Sequence, residues 1–157
     1  MSLLNRDMIL QADDLEYEDV YVPEWKGTVR VKALTGRERD DFEASCTREL
    51  PARDPHTGKI IRGQYEYRRD VENVRAKLVV RSVIDDQGKR IFRDQDANAL
   101  GDKNAAPLDR LFDVASRLSR ISAEDIEELA GNSAAGQTGD TPSSSPSDSE
   151  DSPSPSS

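Results

Sequence analysis

Histidine and cysteine, the side chains that most often carry nucleophilic or metal chemistry near neutral pH, occur once each, as His56 and Cys46. A Ser-His-Asp site around His56 would need a nucleophile turn or an ordered spacing of partners, and the chain shows neither. His56 sits instead in Asp54-Pro55-His56-Thr57-Gly58, a run of turn formers, and reads as a solvated loop residue. One thiol and one imidazole fall short of the three or four ligands a zinc site takes, so Cys46 reads as a small core residue. Asp94, Asp96 and Asn98 fit the first, third and fifth positions of a calcium loop, but Ala99 stands where the turn needs glycine and Ala105 where a bidentate glutamate belongs. The polar start of a helix accounts better for these three residues. Neither the P-loop nor the dinucleotide-binding glycine spacing occurs, so no phosphate cradle is available. No catalytic, cofactor-binding or metal-binding residue is assigned, no cofactor is expected, and the chain reads as a non-enzyme.

Arg62, Tyr65, Tyr67, Arg68 and Arg69 interleave cations with aromatics as single-strand nucleic-acid sites do. Glu66, Asp70 and Glu72 interrupt them, which favours the solvated face of a helix. The formal charge of -9 on 157 residues also works against a polyanionic partner. That charge is uneven: residues 1–24 carry -6, residues 48–81 carry +4, and residues 82–130 and 131–157 carry -4 each. Neither a nucleic acid nor a membrane is expected as partner, and no apolar run approaches the ~20 residues of a membrane span. A single cysteine precludes an internal disulfide and suits a reducing cytosol.

The elements that would position any site are legible in part. Residues 131–157 include ten serines, four prolines and four acidic residues, with no basic, aromatic or large aliphatic side chain. Such a segment cannot bury enough apolar surface to offset its ordering entropy, so a disordered tail is expected after one domain over residues 1–130. Residues 15–22 and 28–33 read as strands joined through Pro23-Glu24-Trp25-Lys26-Gly27, a hairpin with Trp25 near its tip and Gly27 supplying the permissive backbone. Thr35 and Glu38 form a capping box that opens a helix to about residue 48, with Phe42 and Cys46 on its inward face. Pro51, Pro55, Gly58 and Gly63 mark residues 50–64 as a long loop with a short extended piece at Lys59-Ile60-Ile61. A helix is expected over residues 66–83, a turn at Asp85-Asp86-Gln87-Gly88, a short extended segment at residues 89–92 and a brief helix over residues 94–100. Leu108, Leu111, Phe112, Ala115 and Leu118 then mark the clearest amphipathic helix, with Asp109, Arg110, Asp113, Arg117 and Arg120 left for solvent. Ser122 caps a last helix through Leu129. The fold class is α+β: an amino-terminal β-hairpin packed on a mainly helical domain, followed by the tail.

Val22-Pro23-Glu24-Trp25-Lys26-Gly27-Thr28-Val29-Arg30-Val31, followed by Leu34-Thr35-Gly36-Arg37-Glu38-Arg39-Asp40-Asp41-Phe42-Glu43, resembles the tail assembly chaperones of long-tailed, siphovirus-type bacteriophages, especially those infecting actinobacteria. The resemblance continues through residues 74–83, through Phe92-Arg93-Asp94 and into residues 108–115, covering most of residues 1–130. It implies a protein that binds the very long, largely helical tape measure protein, keeps it soluble and delivers it to tail tube subunits. It also implies action in the host cell cytoplasm, departure before the virion is finished, and a longer frameshifted product sharing the amino-terminal domain. A chaperone for a helical client would need apolar grooves between helices and a charged exterior. Candidate client-binding residues are Trp25, Phe42 and Phe112, each with packing into the core or a loop as the favoured alternative. Two rival functions are a structural head-to-tail connector or completion protein of the virion and a small nucleic-acid-binding adaptor.

Overall fold

The computed structural model describes residues 1–129, and the expected disordered tail at 131–157 lies outside the described residues. Alternation at period two builds the first sheet: β1 (Tyr17–Val22) and β2 (Gly27–Lys32) pair antiparallel from Tyr17↔Lys32 to Val22↔Gly27. Val20, Val22 and Val31 are buried, and strand β5 (Val83–Ile84) joins the far side of β2 to give the order β1-β2-β5. The reversal is a 3-10 turn over Pro23–Trp25, but Gly27 is not its left-handed residue. Lys26 takes that conformation at φ 53°, and Gly27 pairs with Val22 in the closing rung.

Helix α1 (Arg6–Leu10), absent from the sequence reading, is capped by Asn5, whose side chain accepts from the Met8 amide at 2.9 Å. Helix α2 (Gly36–Ser45) starts at the expected capping box: the Glu38 amide donates to Thr35 Oγ1 at 3.2 Å and the Thr35 amide donates to Glu38 Oε2 at 2.9 Å. Its one buried residue is Phe42, which joins Cys46, Leu78, Val79, Val80, Val83, Leu111 and Ala115 in the core.

Of the loop expected over residues 50–64, residues 54–59 alone lie outside strands, and the extended piece expected at residues 59–61 is the start of a longer strand. Strands β3 (Thr47–Arg53) and β4 (Ile60–Arg69) form a separate two-stranded hairpin. Pro51 is tolerated because a two-stranded ribbon leaves each strand one unpaired edge, and the register shift between Pro51 and Arg53 absorbs the irregularity. Asp54 organises the tip by accepting from the His56 and Thr57 amides at 2.8 and 2.9 Å, so His56 is an exposed tip residue. The helix expected from residue 66 starts later because β4 consumes its first residues: α3 is Val74–Ser82, entered through Asn73 at φ 54°.

The Asp85 turn forms as expected, with its carboxylate accepting from the Gln87 and Lys89 amides at 2.9 Å, and Arg90 adds one bridge to Ile84. Helix α4 (Asp96–Gly101) starts two residues later than expected. Helix α5 (Ala105–Leu118), capped by Asn104, buries Leu108, Leu111 and Ala115 against α3 and the first sheet. Helix α6 (Ala123–Leu129) opens on a second capping box, Ser122 with Asp125. The mixed α+β architecture with a hairpin packed on helices is as expected; the second hairpin is the addition.

Seven carboxylates, Asp19, Glu24, Glu38, Asp54, Asp70, Asp94 and Asp125, are held below their usual titration range by arginine, lysine or amide partners. A folded value below the unfolded one means that their stabilisation is present at neutral pH and is lost as pH falls through the folded value. Unfolding free energy is therefore expected to stay nearly flat from about pH 8 to about pH 6 and to drop below about pH 4. Urea denaturation across that range checks it; stability that increases on acidification contradicts it.

Candidate client-binding surface

Trp25, Phe42 and Phe112 fall in three different environments. Trp25 ends the first hairpin's turn and is 36% exposed. The turn is fixed to α5 because Arg110 donates to Glu24 through two bonds, at 2.9 and 3.3 Å, while Arg117 pairs with Glu18 of β1. The two arginines assigned to solvent thus tie the hairpin to α5. Phe112 lies two residues from Arg110 and is half-buried against the core. Trp25 and Phe112 therefore belong to adjoining elements, whereas Phe42 has no exposed surface and has nothing to offer a client in this conformation.

The larger apolar surface was missed by reading for helical stripes. Leu3, Leu4, Met8, Ile9, Leu10 and Leu15 are all exposed, from 41% at Leu15 to 95% at Leu3, and α1 buries none of its residues. Their clustering within fifteen residues was the available signal, because scattered exposed leucines are ordinary but a contiguous group is not. Asp7, Asp13 and Asp14 interleave with them and keep the segment acidic.

Two depressions among the described residues differ from the expected apolar grooves between helices. The depression lined by Val71, Val74, Ala76 and Leu108 holds about 200 Å³ and mixes these with Asn73, Arg75 and Lys103. A second, of about 340 Å³, is lined by Leu15, Leu34 and Leu118 together with Asp14 and Arg120. Both are short and partly charged, unlike the continuous trough that takes an amphipathic helix.

The candidate chemistry residues are occupied structurally. Asp94 pairs with Arg90 at 2.6 Å and Arg81 at 3.5 Å, Asp96 accepts from the Arg93 amide at 2.7 Å, and Asn98 accepts from Asn73 at 3.3 Å. Burial pushes the Cys46 thiol up, away from the reactive thiolate. Among the described residues no group of three or more histidine, cysteine or acidic side chains is placed to hold a metal ion, and no helix is long and apolar enough to cross a membrane.

A family model described as phage tail assembly chaperone matches residues 5–132, spanning the hairpin, the core helices and α6. The chain belongs to the phage tail assembly chaperone family. No curated protein and no solved structure matches it. Membership points to a non-enzymatic role in binding tail proteins. Residues 3–15 of this phage tail assembly chaperone carry six exposed large apolar side chains, none of which lies in the buried core.

Proposed function

We propose that this phage tail assembly chaperone binds and solubilises the tape measure protein and helps recruit tail tube subunits during siphovirus-type tail morphogenesis. It acts in the host cytoplasm and is absent from the mature virion; a longer frameshifted product of the same gene shares the amino-terminal domain. The observation that supports the reading is the exposed apolar segment at residues 3–15, carried by a chain in which 34% of residues are charged. Apolar side chains bind a helical client, and the -9 charge keeps the pair dissolved. Trp25, beside α5, and Phe112, on α5, are further contacts; Phe42 lies within the core against which Phe112 packs.

Co-expression with the tape measure protein tests this. The full chain is expected to raise the client's soluble yield and co-purify with it. A variant with Leu3, Leu4, Met8, Ile9 and Leu10 changed to serine is expected to lose at least tenfold of that yield while keeping its thermal midpoint, because none of the five is buried. Failure of the full chain to co-purify at several salt concentrations contradicts the client assignment. Recovery of the chain in purified particles supports the connector reading instead.

A further inference from the structure

We propose that the β3–β4 hairpin is a second docking arm, which takes an extended acidic segment of a partner protein along the free edge of β4. Among the described residues the hairpin is a sheet of two strands with no third strand, and its side chains are exposed or half-buried. Two-stranded hairpins are marginal in water alone, and this one is tied to the body at its base. There the Asp70 amide donates to the Cys46 carbonyl at 2.7 Å, Lys77 Nζ donates to the Ser45 carbonyl at 2.9 Å, and Arg48 pairs with Asp70 at 2.7 Å. Its two outer edges differ. β3 contains Pro51, which has no amide to donate, whereas β4 has no proline from Ile60 to Arg69. Gly63, at φ 78°, breaks the regular run, so the open template is residues 64–69.

The side chains on that stretch fit an interface. Tyr65 and Tyr67 are 59% and 72% exposed and share one face with Arg69, since neighbours two apart on a strand point the same way. Tyrosine and arginine are the residue types that most often anchor protein interfaces. Glu66 points to the other side of the strand, where it pairs with Arg68 at 2.8 Å.

Charge selects the occupant. Arg48, Arg53, Lys59, Arg62, Arg68 and Arg69 outweigh Glu49, Asp54 and Glu66 on a hairpin that belongs to a chain of net charge -9. Pairing β4 with β4 of a second copy is disfavoured, because it brings two hairpins of the same net positive charge edge to edge. A nucleic acid is disfavoured because it has no peptide backbone to pair with the free edge of β4. Residues 131–157 are acidic but lack large apolar side chains for the tyrosines and are divided by Pro142, Pro146, Pro153 and Pro155. A partner segment alternating carboxylates with β-branched or aromatic residues meets all three requirements: backbone pairing, tyrosine packing and charge.

The test uses the full chain and a ten-residue peptide alternating valine with glutamate, followed by amide chemical-shift mapping. Shifts are expected at residues 64–69, and affinity is expected to fall at least tenfold in Arg62→Glu/Arg68→Glu, in Tyr65→Ala/Tyr67→Ala, and with the peptide N-methylated at alternate amides. The methylated peptide leaves the protein unaltered, so its loss of binding separates edge pairing from misfolding of a variant. Equal binding by a valine–lysine peptide, unchanged binding by the methylated one, shifts centred outside the hairpin, or tighter binding of single-stranded oligothymidylate or of a peptide of residues 131–157 overturns the proposal.

Discussion

Replacing Phe42 by alanine is expected to lower the unfolding free energy by about 3–5 kcal/mol, the range for truncating a fully buried aromatic. Phe42 has no exposed surface and is the one residue through which α2 enters the core, where it joins Cys46 and the run Leu78, Val79 and Val80 of α3. Nothing else on α2 can move in to fill the space, because the helix is otherwise charged, small or polar. Urea denaturation against the parent measures the loss; a change below about 1 kcal/mol would show that Phe42 is not packed as described. The same variant separates packing from client contact. Phe42→Leu, which refills most of the volume, is expected to recover much of the stability and to bind client as the parent does.

Glu38→Ala is expected to cost about 3 kcal/mol, from two sources acting at one carboxylate. Glu38 closes the α2 capping box through the Thr35 amide, and it also accepts from Lys32, a β2 residue that is only 8% exposed. Burial alone would raise the Glu38 titration point, but the bond from Lys32 and the Thr35 amide outweigh it and hold the carboxylate ionised. Removing the carboxylate leaves a lysine ammonium largely cut off from water with one carbonyl, that of Ala33 at 3.4 Å, still in reach. Glu38→Gln keeps an acceptor for the cap and loses the charge, so it is expected to fall between parent and Glu38→Ala. The double variant Lys32→Met/Glu38→Gln is expected to recover most of the loss, since an apolar side chain does not need the ion pair. Equal stability of Glu38→Ala and the parent contradicts this account.

Local grammar carried most of the element assignments. The Thr35 capping box, the Ser122 cap, the Asp85 turn and the three-four spacing of Leu108, Leu111 and Ala115 each rest on interactions within a few residues, so the sequence was enough to place them. The second hairpin was not legible. Pro51 and Gly63 are loop signals unless the strand is an edge with a bulge, and whether a strand is an edge depends on what lies beside it. Tyr65-Glu66-Tyr67-Arg68 alternates at period two, but four residues of alternation beside a helical valine pattern could not decide the boundary.

The functional surface divides the same way. Composition and motif order carried the resemblance to the phage tail assembly chaperone family, because those properties belong to the residues themselves. Only the tertiary structure decided which apolar residues remain for a partner. It took Phe42 into the core, left Trp25 partly open beside α5, and left residues 3–15 and the tyrosines of β4 uncovered. The physical reason is that exposure is a property of neighbours far away in the chain: the same leucine or tyrosine is core or surface according to whether another element arrives to cover it.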